Sequence, residues 1–581
     1  MFEFYRIACA VPNCRTADFE GNVDKIRKLY IEAAENNASI VLFPAEAISG
    51  ADCGSLKKYP LFERQEEEAI ETLADLTEEY RSILVVSNSC GEPIILSGGN
   101  IWYADNTYTL FTNGKFSFAV CAQREAFEQI DNPGKADILL FPVSVTDTFE
   151  TVRERRIDFQ ALSKTFGCFC ASCGAAASNT TARGVFSGHA LVALDGRIIS
   201  ENQPFSMSEN ILYCDIDGDV PHFLNNGEAH LSCDCEEFEV EEVEIPAADE
   251  LKYCSVSKYP FLPEGDEKEY CSTVIDMAST ALAVRLSSCG MKKMVLGISG
   301  GLDSTMALVV CYECCRKLGL PSENIVAVSM PGFGTEARTR DNSVALAEAL
   351  KVDLRIIPIT EAVNQHFKDI GHDPSKTDVV YENSQARERT QILMDIANQT
   401  GGLVVGTGDL SENALGWCTY NGDHMSMYAV NASIPKTLMR HIISNYASVS
   451  PQKLAEILLD VCDTPVSPEL VPGKQYTEEI IGSYDLHDFF LYNFIKYGTS
   501  PAKLLCMAAK AFEKDYTKEK IFEVMNTFFT RFFQSQFKRA AMPDAPDLTG
   551  IELSKFEMPS DASARAWKKE LEYLKSSDYL K

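Results

Sequence analysis

The chain has 581 residues, more than one hydrophobic core accommodates, so roughly two to four domains are expected. Its 45% apolar and 24% charged residues are those of a globular protein, and no apolar run reaches the ~18 residues that a membrane span requires. The formal charge of −31 argues against nucleic acid as a partner, so any phosphate ligand must be gripped by a local site.

In chain order, Met1–Ala10 (MFEFYRIACA) mixes acid and base and lacks the profile of a secretory signal. Short apolar runs follow at Ile40–Phe43, Ile83–Ser87, Phe116–Cys121, Ile138–Phe141, Cys168–Ser172 and Ala190–Leu194. They predict strands, and helical patterns at Val23–Glu35 and Glu67–Glu79 lie between some of them. ALVALDGRII (190–199) predicts a hairpin turning at Asp195-Gly196. The acidic stretch within 228–250 suits a solvated connector. From Met294 onward strands and helices alternate, with strands at Met294–Ile298, Ile325–Ser329, Leu354–Pro358 and Leu403–Gly406, which predicts a parallel sheet wrapped by helices. The twenty cysteines do not carry metal-site spacing: Cys168, Cys170 and Cys173 alternate as on a strand, and Cys311, Cys314 and Cys315 fall within an apolar helix. They are expected as buried thiols in a reducing cytoplasm.

The stretch GISGGLDSTMAL (297–308) lies between a strand and a helix. Paired glycines let backbone N–H groups crowd an anion, and the following helix N-terminus adds partial positive charge. The Gly-Lys-Ser/Thr ending of a Walker A loop is absent. Asp303 would repel a phosphate unless it holds a bridging Mg²⁺.

S-G-G-x-D-S resembles the pyrophosphate loop of N-type ATP pyrophosphatases. MPGFGTEARTRDN (330–342), residues 381–440, TPVSPEL (464–470), SYDLHDFFLY (483–492) and QFKRAAMPDAP (536–546) make residues 270–565 similar to the glutamine-dependent, two-domain NAD synthetase family. The resemblance implies an α/β protein: a nitrilase-like α-β-β-α sandwich over 1–227, an acidic connector over 228–255, and a Rossmann-like parallel-sheet ATP pyrophosphatase domain over 256–581. It implies ATP-driven amidation of deamido-NAD to NAD through an acyl-adenylate, with AMP and pyrophosphate released. Under it Ser299, Gly300, Gly301, Asp303, Ser304, Thr407 and Thr419 would serve ATP, with Asp303 and Glu412 as Mg²⁺ ligands. Asn383, Arg387, Asp423 and Lys538 would serve deamido-NAD, and Lys436 and Asp423 would act in catalysis. A cytoplasmic homo-oligomer is implied as well.

LFPAEAISG (42–50), FAVCAQRE (118–125), FCASCGAAASNTT (169–181) and FSGHALVALDGRII (186–199) resemble the family's glutaminase, which needs a Cys nucleophile, a Glu base and a Lys for the oxyanion. Cys121 takes the nucleophile position, but Ala45 stands where the family writes Glu, and Glu46 is one residue late. On an extended segment that places it on the opposite face. Lys115 is the only lysine between Ser87 and Cys121, about 20 Å from the latter along a strand at ~3.4 Å per residue. The expected nitrogen source is therefore free ammonia. A working glutaminase with atypical residues and a catalytically silent scaffold are the alternatives.

Overall fold

The computed structural model describes residues 3–104, 109–121, 136–179, 184–225, 239–248, 250–263, 265–335, 337–464, 470–471 and 477–576. Residues 122 and 123, the connector at 228–238 and most of TPVSPEL therefore lie outside the described residues. The chain divides into two compact units, Met1–Val256 with Tyr497–Thr499, and Ser257–Lys496 with Ser500–Lys581.

Strands of the first unit are β1 (Phe4–Val11), β2 (Ile40–Leu42), β3 (Ile83–Ser87), β4 (Pro93–Ser97), β5 (Asn100–Tyr103), β6 (Thr109–Thr112), β7 (Ser117–Val120), β8 (Ile138–Val143), β9 (Phe169–Gly174), β10 (Ala190–Leu194), β11 (Arg197–Glu201), β12 (Asn210–Asp217) and β13 (Glu239–Glu242). They form one sheet in the order β12-β1-β2-β3-β4-β5 and a second in the order β11-β10-β9-β8-β7-β6-β13. Alternation along β1 explains the layering. Tyr5, Ile7, Cys9 and Val11 enter a core shared with Phe118, Ile138 and Leu140 of the second sheet. Ala8 and Ala10 face the opposite way, toward Ile26 and Tyr30 of α1 (Phe19–Glu35) and Leu73 of α2 (Pro60–Glu79). On the outer face of the second sheet, Leu139, Phe141 and Cys170 pack with Phe159 of α3 (Phe149–Phe166). The layers run α-β-β-α, as expected. A short helix, α4 (Asp219–Leu224), follows β12.

The predicted hairpin is β10–β11, with Asp195 at φ 48° and Gly196 at φ 77°, the left-handed pair that a tight two-residue hairpin requires. One segment differs from the sequence reading. Glu239–Glu242, read as part of a solvated connector, is an edge strand paired in parallel with β6, and Val243 and Ile245 beyond it are buried. Charge density masked the pairing, because an edge strand keeps its acidic side chains in water.

In the second unit β14 (Lys293–Gly297), β15 (Ile325–Ser329), β16 (Asp353–Ile356), β17 (Gly402–Gly406) and β18 (Tyr428–Ala429) form an all-parallel sheet in the order β16-β15-β14-β17-β18. Helices α5 (Glu267–Ser288) and α6 (Leu302–Leu318) pack together, and α7 (Ala337–Leu350) follows β15. Val363 and Phe367 of α8 (Thr360–Ile370) and Ile396 of α9 (Val379–Thr400) pack on Val295, Val326 and Val404 of the sheet. Cys311, Cys314 and Cys315 lie buried along α6, and every described cysteine is free. Strand order reverses between β14 and β17, and loops leaving the carboxyl ends of such neighbours diverge to open a crevice. Among the described residues no helix is long and apolar enough to cross a membrane.

Candidate active site

The crevice at β14 and β17 is a cavity of about 740 Å³. Its lining includes Ser299, Gly301, Asp303 and Ser304 from the loop after β14, and Thr407 and Glu412 from the segment after β17. Asn383 of α9, with Thr419, Asp423 and Lys538, completes the set of predicted residues on its wall. Gly300 has φ +83°, and a Cβ there would meet the Thr339 carbonyl oxygen at 1.9 Å, so glycine is obligatory. Within the turn, the Ser299 N–H donates to Ser304 Oγ and the Gly301 N–H to Ser299 Oγ, both at 3.2 Å. Gly301 is the N-cap of α6, which puts Asp303 in the first helical turn.

Asp303, Asp409 and Glu412 converge, their nearest carboxylate oxygens all within 4.8 Å of one another. Helix α10 (Leu410–Leu415) supplies two of them: Asp409 is its N-cap, and Asp409 Oδ1 accepts from the Glu412 N–H at 2.7 Å. At the centre sits the ammonium of Lys436, first residue of α11 (Lys436–Ser448) and 1% exposed. Its Nζ lies 2.7 Å from Asp303, 2.7 Å from Asp409 and 3.0 Å from Glu412. Burial works against the ammonium, yet the three carboxylates outweigh it and hold its pKa well above the ordinary lysine value. Burial raises the pKa of Asp409, and raises that of Glu412 to about 7, with Lys436 opposing in both cases. One ammonium faces three carboxyl groups, so the acidic groups outnumber the cation. Asp409 Oδ2 is fully buried and, although ion-paired, makes no hydrogen bond. An excess of acidic groups and an under-coordinated hard oxygen both suit a divalent cation.

Of the other predicted residues, Asn383, Thr419, Asp423 and Lys538 line the same cavity, whereas Arg387 is not part of its described lining. Thr419 Oγ1 donates to Asn383 Oδ1 at 2.8 Å, and the Thr419 N–H donates to Asp423 Oδ1 at 2.7 Å. Lys538 Nζ donates to the Gly416 and Cys418 carbonyls, neutral acceptors that leave its charge uncompensated by them. Arg387 Nε donates to the Tyr420 carbonyl at 3.3 Å. Sequence reasoning missed three residues here. Asp409 was legible as the cap of an Asp-x-x-Glu pattern. Asn431 is fully buried, and its Nδ2 donates to the Asp303 and Thr407 carbonyls at 2.9 and 3.0 Å, tying the two loops together. Asp488 accepts from Ser411 Oγ and the Thr437 N–H, which fixes α10 and the start of α11. The last two carry no local signal.

In the first unit Cys121 follows β7, and its N–H donates to the Leu140 carbonyl at 2.8 Å. The thiol faces the α3 layer, packed with Phe141, Cys168 and Cys170, and burial pushes its pKa up to about 12. Glu46 does not sit on the extended segment assumed from sequence. Strand β2 ends at Leu42, residues 45–49 form a turn, and Glu46 has φ 57°. One residue of offset therefore does not set the side-chain face here as it would on a strand. Glu46 Oε1 pairs with Lys57 at 2.7 Å, and Glu46 Oε2 accepts from Ser144 Oγ and the Asp52 N–H, both at 3.1 Å. Lys57 also donates to the Ser89 carbonyl. Ala45 is buried, and exposed Lys115 pairs with Glu3. Among the described residues no hydrogen bond or ion pair joins Cys121 to Glu46 or Lys57.

The profile of the NAD synthase family matches residues 274–541. A glutamine-dependent NAD(+) synthetase of Mycobacterium leprae is 34% identical over 472 residues, 73% of this chain and 69% of the relative. Its namesake from Mycobacterium tuberculosis is 38% identical over 356 residues, 55% of this chain and 52% of the relative, so the chain spans about half the length of that protein. The crystal structure of a glutamine-dependent NAD(+) synthetase from Cytophaga hutchinsonii aligns with 98% of this chain and 100% of its own at 18% identity and a TM-score of 0.43.

Proposed function

The chain belongs to the glutamine-dependent NAD(+) synthetase family, and from that premise we propose that it amidates deamido-NAD to NAD with ATP, drawing its nitrogen from free ammonia. The observation that carries the reading is the three-carboxylate centre, which includes Asp303 of the Ser299–Ser304 turn and places Asp303 and Glu412 on the wall of a cavity of about 740 Å³.

The proposed chemistry begins with attack by the nicotinate carboxylate oxygen on the α-phosphorus of ATP, with pyrophosphate leaving. Ammonia then attacks the acyl carbon of the adenylate, AMP departs, and a proton is lost from nitrogen. The Ser299–Ser304 turn and the N-terminus of α6 would exchange their internal bonds for bonds to the departing pyrophosphate. Asp303, Asp409 and Glu412 would hold Mg²⁺, which when bound neutralises phosphate charge. Lys436 and Lys538 supply positive charge where the adenylate forms. Asn383, Thr419 and Asp423, already bonded in series, would orient the dinucleotide with Arg387 beside them. Burial around the trio limits water that would otherwise hydrolyse the adenylate.

The nitrogen source follows from Cys121. A buried thiol with a pKa near 12 and, among the described residues, no hydrogen bond or ion pair to Glu46 or Lys57 is a poor nucleophile at neutral pH. The Glu46–Lys57–Ser144 cluster favours a second reading, an atypical amidase site, because it supplies the carboxylate and cation that the Ala45 register withheld. A silent scaffold is disfavoured by the convergence of three carboxylates, two of them on the cavity wall. The test is pyrophosphate release from ATP with ammonium present. Release that requires deamido-NAD and matches NAD formed one to one is expected, and release independent of deamido-NAD would overturn the proposal.

A further inference from the structure

The position of Lys436 says more than that a cation belongs beside it. Its Nζ stands 2.7, 2.7 and 3.0 Å from one oxygen each of Asp303, Asp409 and Glu412. Those oxygens would ligate a divalent ion, and a point equidistant from them is the point such an ion takes. Ammonium and ion therefore compete for one place. We infer that Lys436 is a tethered substitute for the divalent cation, which closes the carboxylate trio in the nucleotide-free protein and admits metal only in company with a polyanionic nucleotide. The inference rests on the nucleotide-binding reading of this cavity.

Charge and packing give the direction. With the lysine in place three carboxyl groups still face one ammonium, a set that attracts a divalent ion without releasing the lysine. An ion entering alone would have to drive the ammonium from three carboxylates that bury it almost completely. Close by is the Tyr484 ring, 5.4 Å from Nζ, which would hold a displaced ammonium only weakly. A triphosphate changes the balance, since its oxygens can receive the displaced ammonium while the metal takes the carboxylates. The backbone stays where it is. Lys436 is fixed by its own N–H to Ser411 Oγ at 2.8 Å, and its neighbour Thr437 is fixed by Asp488, so only the side chain need swing. Asp409 makes the lock tight: it is buried, and among the described residues the cation paired with its Oδ2 is Lys436.

The test is a Mn²⁺ titration of the full chain without nucleotide or deamido-NAD, read by loss of the free aqua-Mn²⁺ resonance. Lys436→Met keeps the length of the side chain and removes its charge. It should bind Mn²⁺ roughly 10- to 100-fold more tightly than wild type, a span typical of coupled sites. Glu412→Gln in the Lys436→Met background should abolish the gain. The thermal midpoint of Lys436→Met should rise with Mn²⁺, while that of wild type stays unmoved. Equal affinity in wild type and Lys436→Met would overturn the inference. If Lys436→Met does not fold, wild type decides: a nucleotide-free Mn²⁺ site that Glu412→Gln removes overturns it, and no such site supports it. Because no substrate is present, the outcome is separate from the fate of the proposed reaction. NAD formation by a protein that also binds Mn²⁺ freely would sink this inference alone.

Discussion

Two lysine–carboxylate groupings lie in different units of this chain and show how surroundings govern chemistry. In the second unit Lys436 is 1% exposed among three carboxylates, two of which, Asp303 and Glu412, line a cavity. In the first, Lys57 and Glu46 form a single pair whose side chains are 29% and 16% exposed. The same residue types give a concentrated, undischarged field in one place and a screened ion pair in the other. Cys121, which takes the family's nucleophile position in the sequence, is packed into the α3 layer.

The largest expected effect breaks the first site outright. Asp303→Ala removes a carboxylate that both pairs with Lys436 and faces the cavity, and product formation with ammonium should fall roughly 10²- to 10³-fold. The check is the initial rate of NAD formation at saturating ATP. A loss under threefold would show that the trio is not where the chemistry occurs.

The next effect contrasts the two units directly. With a pKa near 12, only about 10⁻⁴ to 10⁻⁵ of the Cys121 thiol is ionised near neutral pH. Glutamine should support less than ~1% of the ammonium rate on that basis. Cys121→Ala should leave the ammonium rate within about twofold, as befits a site outside the reaction. Robust glutamine turnover that vanishes in Cys121→Ala would return the first unit to the role its relatives are named for.

The unequal legibility of the two groupings in the sequence has a physical origin. The strands β3, β8 and β10 stood out because they are buried on both faces, and Gly300 marks its own backbone constraint, whereas β1 was not read from its sequence although it is buried throughout. The Ser299–Ser304 turn was readable because its function is local, built from backbone within six residues. The carboxylate centre was half readable. Asp303 and Glu412 were named, but Asp409 and the central place of Lys436 depend on three loops that only the parallel sheet brings together. The Glu46–Lys57 pair was hidden because a left-handed residue just past β2 breaks the period-two rule from which facing was argued. The edge strand β13 was hidden by its charge.

A pH measurement sharpens the contrast in burial. His487 in the second unit is 1% exposed, its Nε2 is 2.9 Å from the Ile481 carbonyl oxygen, and its Nδ1 has no hydrogen-bond partner among the described residues. Burial lowers its pKa from 6.5 to about 4. The unfolded chain then binds this proton more readily between those values, so stability is complete above pH 6.5 and declines as pH falls toward 4. The full span is worth about 3 kcal/mol. Asp488 next to it, raised to about 6 by burial, acts in the opposite sense, so the difference between wild type and His487→Gln isolates the histidine. Denaturant titrations at several pH values should show a shallower acid decline in His487→Gln. Parallel curves would mean that the imidazole titrates normally.

The smallest expected effect concerns Lys57. A partly exposed pair gains modest Coulomb energy and loses side-chain freedom, so Lys57→Met should cost about 1 kcal/mol or less. In a unit of this size that lowers a thermal midpoint by roughly 2–4 °C. NAD formation from ammonium should not change, because the pair lies in the first unit and the carboxylate centre in the second. The value of this variant lies in its coupling to nitrogen source. If glutamine supports turnover and Lys57→Met removes it while the ammonium rate holds, then Glu46 and Lys57 serve an amidase site that approaches the chain from a different turn than the family pattern. A midpoint shift with no change in either rate leaves the pair as a fastener that holds the end of β2 against Ser144 at the end of β8, which is what its two hydrogen-bonded neighbours already describe.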